Sequence, residues 1–109
     1  MPGIARLGLD SHIGHPCNGT PKGHPKPFHK TNYAVAGQTK VTVNGAFAVL
    51  GAGNGSTACG DPAVGMSAWV KVGTTLIGVH RIGDATGGHP CHFVPNACAT
   101  GSPTVIAFK

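Results

Sequence analysis

Two segments of this chain carry one pattern. Residues 3–17 read GIARLGLDSHIGHPC and residues 78–91 read GVHRIGDATGGHPC. With Leu9 taken as a one-residue insertion they align throughout. Gly3 falls on Gly78, Arg6 on Arg81, Gly8 on Gly83 and Asp10 on Asp84, and Gly14-His15-Pro16-Cys17 falls on Gly88-His89-Pro90-Cys91. A repeated segment is one supersecondary unit used more than once, so the fold is expected to be pseudo-symmetric. Each copy ends in a histidine with a cysteine two residues on. Pseudo-symmetry would gather those donors about an axis.

The remaining sequence limits what the repeated unit is made of. With 109 residues the chain is a single domain, 1–109, short enough to benefit from a staple beyond its core. Its 18 Gly and 9 Pro work against long helices. No window has helical apolar periodicity, whereas TKVTVNGAFAVL (39–50) alternates about Asn44-Gly45, a hairpin signal. Residues 67–82 read as two short strands about Gly73, and 3–8 and 101–108 as single strands. Long polar loops fall at 11–31, 51–62 and 83–98, the first with Pro16, Pro21, Pro25 and Pro27. The expected fold is all-β: three small strand groups, each too small for a core of its own, wrapped round one another.

Charge and ends narrow the function. Formal net charge is +5, with Lys22, Lys26 and Lys30 close together. The few aromatic residues do not interleave with these lysines, which argues for a solvated loop over a nucleic-acid surface. No apolar run approaches a membrane span, and MPGIARLGLD lacks the apolar stretch of a signal peptide. The expectation is synthesis and folding in the cytosol. There, four cysteines are read as metal ligands or buried thiols in preference to disulfides.

Each long loop offers a nitrogen or sulfur donor at a comparable place: His15 with Cys17, then Cys59, then His89 with Cys91, His92 and Cys98. A structural zinc takes four such donors in a closed tetrahedron and contributes folding free energy directly. The set expected first is His15, Cys59, His89 and Cys98, with Cys17, Cys91 and His92 as replacements. Nitrogen and sulfur donors also suit iron. Taken singly, these histidines are turn caps and these cysteines small buried hydrophobes. The doubled Gly-His-Pro-Cys favours the metal. Catalysis has little to draw on. The only acids are Asp10, Asp61 and Asp84, and there is no Glu. Asp10 and Asp84 hold equivalent positions suited to turns, where Arg6 and Arg81 can pair with them. A zinc-dependent hydrolase and a basic nucleic-acid-binding module are the competing readings. The first lacks a general base, and only charge supports the second.

With these residues in view, the chain resembles PAAR-repeat proteins, the pointed caps on the spikes of type VI secretion systems and contractile phage tails. Val41-Thr42-Val43-Asn44-Gly45 resembles the family's strand pair. Ala5-Arg6-Leu7-Gly8 and His80-Arg81-Ile82-Gly83-Asp84 resemble the segment that follows it, and Gly101-Ser102-Pro103-Thr104-Val105 the last strand. Leu9 interrupts the first Gly-Asp, and residues 51–59 lack the middle copy's Arg-x-Gly-Asp. The resemblance covers nearly the whole chain outside 18–36. It implies a non-enzymatic, pseudo-threefold cone with a metal near its tip. The family's site resembles three His and one Cys, here His15, His89 and Cys59, with Cys98 or His92 completing it. It further implies one monomer seated on a trimeric β-helical spike, at the tip of a virion tail or secreted through an injection machine. There it would sharpen the spike for puncture and touch the target envelope transiently.

Overall fold

The computed structural model describes residues 2–16, 28–29, 31–58, 60–73, 76–88 and 96–107. These residues form a strand-rich, all-β arrangement with no helix among them, and so no helix long and apolar enough to cross a membrane. The strands are β1 (His15–Pro16), β2 (Phe28–His29), β3 (Tyr33–Val35), β4 (Thr42–Val43), β5 (Ala46–Phe47), β6 (Ser56–Thr57), β7 (Lys71–Val72), β8 (Ile77–Gly78), β9 (Ala85–Thr86) and β10 (Asn96–Ala97).

The fold starts from three hairpin units. β4 pairs with β5 and β7 with β8, both antiparallel. Asn44 and Gly45 turn the first at φ 52° and 83°, the two left-handed residues that a tight hairpin requires. The third unit joins the two ends of the chain: Gly3 bridges Ile106, Ile4 N–H donates to Val105 O (3.1 Å) and Ala107 N–H to Pro2 O (3.0 Å). The same bond recurs as Ala48 N–H to Val41 O (3.0 Å) and Val79 N–H to Val70 O (3.0 Å).

A side chain organises the entry to each unit. Ser67 Oγ accepts from the N–H groups of Trp69 and Val70, and Ser102 Oγ from those of Thr104 and Val105. Gln38 Oε1 does the same for Lys40 and Val41. Such local bonds hold the backbone in a turn. Gly3 and Gly78 are required beside the serine turns, because a Cβ there would collide with the carbonyl oxygen of Ser102 or Ser67.

The three units close on one another through two rings of backbone bonds. Ala5 N–H donates to His80 O (2.9 Å), His80 N–H to Val49 O (2.7 Å) and Val49 N–H to Ala5 O (3.0 Å). The second ring runs Leu7 N–H to Phe47 O (2.9 Å), Gly51 N–H to Gly78 O (2.9 Å) and Ile82 N–H to Gly3 O (3.1 Å). Each inner segment gives to one neighbour and takes from the other, which is cyclic threefold order. Pairing in a ring also leaves these segments no open edge.

Above the rings comes a further threefold layer. Ser11, Ser56 and Ala85 bridge Asn32, Pro62 and Ala97. His12, Thr57 and Thr86 bridge Cys98, Tyr33 and Ala63 of the next unit round. The core divides accordingly. One cluster holds Ile4, Val43, Ala48, Leu50, Val79 and Ala107, with Val72 and Ile77 packed against it. The other holds Ala5, Tyr33, Val49, Ala63 and Cys98. Of the apolar residues in the hairpin sequences, Val43 is buried, Phe47 half-buried and Val105 exposed.

The regions read as loops contain rungs. β3 pairs with β6, β9 with β10 and β1 with β2. Pro16 fits because a two-stranded pair consists only of edges.

Candidate functional site

The repeat's Arg and Asp form a clamp twice. Arg6 N, Nε and Nη2 donate to Asp10 at 2.8, 2.7 and 3.1 Å. Arg81 makes the same three bonds to Asp84, each at 2.9 Å. The Asp10 bond raises the Arg6 pKa further above its ordinary value. In the middle unit Leu50 stands where the arginines stand, and Gly55 stands at the aspartate position. Arg6 Nη1 reaches Asn44 Oδ1 (3.4 Å) and Arg81 Nη1 reaches Ala107 O (3.3 Å). The corresponding space beside Leu50, Val72 and Gly73 is an open cleft of about 470 Å³. Among the described residues that line it, Lys40 alone is charged.

Asp61, the third acid, sits at a junction of all three units. Its carboxylate and the His12 side chain are fully buried. It accepts His12 Nδ1–H (2.9 Å), Thr86 Oγ1–H (2.7 Å) and Gly88 N–H (2.6 Å). Thr31 N–H donates to His12 Nε2 (3.1 Å), which fixes the Nδ1–H tautomer. Burial acts to raise the Asp61 pKa. The bonds from His12, Thr86 and Gly88 outweigh it and hold the carboxyl below its usual range.

Asp61, His12 and Thr31 lie in a row, the order of a nucleophilic triad. The geometry does not provide one. The His12 Nε2 lone pair already receives the Thr31 amide, and Thr31 Oγ1 lies 3.5 Å away, at the limit of a hydrogen bond. Without a free lone pair, His12 cannot take the proton of a nucleophile as arranged. The whole chain has only three acids, and all three lie within internal bonds. Among the described residues, the exposed Lys40 and Lys71 have no exposed aspartate to oppose them.

A second buried column surrounds Tyr33. His80 Nδ1–H donates to Gly65 O (2.7 Å), so Nε2 is the acceptor for the Tyr33 hydroxyl (2.7 Å). Burial lowers the His80 pKa, and burial together with nearby Cys98 raises that of Tyr33.

Of the residues expected to bind metal, Cys17, Cys59, His89, Cys91 and His92 lie outside the described residues. Among the described residues, no group of three or more His, Cys, Asp or Glu is placed to hold a metal ion. Cys98 lies in the core level with Tyr33 and Ala63. Its thiol donates to Thr100 O (3.1 Å), and burial pushes its pKa up to about 11. The backbone of His15 is described, paired in register with His29. Gly14 and Gly88, each just before the histidine of its copy, are both left-handed, at φ 101° and 83°. The two copies therefore share a left-handed glycine immediately before the histidine.

Sequence reasoning gave His12 no role and passed over Asp61 as the residue after Cys59-Gly60. One signal was available. His12 and Thr86 hold the same place in the aligned repeats, a polar pair just inside the donor loops. Compared with models of known protein families, with curated proteins and with solved structures, the chain matches none.

Proposed function

We propose that the chain is a structural tip that caps a trimeric β-helical spike, as the likeness of its motifs to PAAR repeats implies, and stiffens that tip with a metal ion. The observation that carries the reading is the pair of cyclic backbone rings, in which one chain presents near-threefold order. Such a monomer matches a true threefold platform, one hairpin unit per spike subunit. Equivalent valines support the match: Val41, Val70 and Val105 occupy one position in the three units and are 40, 38 and 38% exposed. An apolar surface repeated three times suits a threefold apolar seat.

The metal would complete the opposite end. Imidazole and thiolate are zinc's donors, and a closed structural site adds stability where there is little core. The segments leading to His15, Cys59 and His89 converge on Asp61, which fits a shared centre. For the fourth donor we take His29 ahead of Cys98. His29 stands opposite His15 in the β1–β2 register, while the Cys98 thiol is engaged in the core. The net charge of +5 and the exposed Lys40 and Lys71 suit transient contact with an anionic envelope.

The test is reconstitution with a trimeric β-helical spike protein, followed by native mass spectrometry. The expected species has one chain per three spike subunits and is lost on Val41→Asp with Val70→Asp. Failure to associate, or three chains per trimer, would overturn the proposal.

A further inference from the structure

We infer that Asp61 is the positioning residue of the proposed metal centre, an inference that rests on the reading above. One buried carboxylate ties together the three segments that carry His15, Cys59 and His89. Asp61 is two residues after Cys59. Gly88, whose N–H it accepts at 2.6 Å, immediately precedes His89. His12, whose Nδ1–H it accepts at 2.9 Å, is three residues before His15. Three residues of chain span at most about 10 Å, so the hub acts within one short loop of each donor. A shift of the carboxylate would pass directly into the spacing of the ligands.

The repeat itself does not require this acid. At the place of Asp61 the other two units carry Thr31 and Asn96, which likewise precede the bridged residues Asn32 and Ala97. The three units thus converge on one side chain from the middle unit, the unit that lacks the Arg–Asp clamp. A carboxylate taken fully out of water is costly unless its bonds are satisfied, and here both oxygens are engaged. Outer groups that fix metal-bearing loops commonly change metal affinity about 10–100-fold when removed.

The experiment uses the full 109-residue chain. Zinc affinity is measured by competition with a chromophoric chelator, and donor geometry by the visible absorption of the cobalt(II)-substituted protein. Asp61→Asn is expected to bind zinc about 10–100-fold more weakly and to shift the cobalt bands. Thr86→Val, which removes one of the three bonds, is expected to weaken binding about fivefold and decides the matter if Asp61→Asn does not fold. Arg6→Ala, a loss of stability away from the hub, is expected to lower the melting temperature and leave zinc affinity and cobalt bands unchanged. Wild-type affinity and bands in the hub variants that fold would overturn the inference while leaving the metal centre in place. A wild-type chain that binds neither ion would overturn both.

Discussion

Replacing Asp10 by Asn should cost this domain much of its stability, and the size of the loss follows from the clamp. Asp10 is 1% exposed and accepts three N–H groups of Arg6. Asparagine keeps the shape but turns an NH₂ toward those donors and removes the charge. Breaking a fully buried ion pair from one side costs about 3–5 kcal/mol. The Arg6 side chain is 16% exposed and keeps its contact with Asn44, so partial rehydration brings the expected loss to about 2–3 kcal/mol. In a domain of this size that lowers the melting temperature by roughly 10–20 °C. Asp84→Asn should cost about half as much: Asp84 is more exposed, and Arg81 keeps the carbonyls of Ala107 and Met66. Urea titrations followed by circular dichroism measure both. An Asp10→Asn loss under about 0.5 kcal/mol, the range of ordinary surface changes, would refute the reasoning.

His80 makes stability depend on pH. Burial holds its pKa below the ordinary value, so the folded protein keeps it neutral where the unfolded chain takes up a proton. Its contribution is complete above about pH 6.5 and falls as the pH drops from there toward the folded-state pKa. Urea midpoints between pH 7 and pH 5 should fall, and less steeply in His80→Gln; equal slopes would count against the assignment. Ending the chain at Gly101 removes the strand that pairs with Gly3 and should abolish cooperative melting, while a retained sharp transition would show that the closure is dispensable.

The readable parts of this fold were the local ones. Asn44-Gly45 declared its hairpin because a two-residue left-handed turn admits few residue types. The Arg–Asp pairs were legible because the repeat put both partners in one short segment. The ring closure was not: Gly3 and Ile106 lie at opposite ends of the chain, and nothing local couples them. The rungs above the rings run two or three residues, too short for strand alternation to register. Val105 matches Val43 as an apolar strand residue yet is exposed, because it corresponds to Val41 at the hairpin entry. The residue types of the proposed donors were visible in the twin Gly-His-Pro-Cys. The Asp61 hub was hidden, since Asp61, His12 and Gly88 meet only once all three units are assembled.

The account depends on three distant segments hydrogen-bonded in a closed ring. Amide hydrogen exchange at Ala5, Val49 and His80 tests this most directly, because each of these N–H groups is one side of the inner triangle. The account predicts that all three exchange together, among the slowest amides, only when the whole domain unfolds. Exchange at any one of them well ahead of the other two would mean that the triangle is open, and would contradict it.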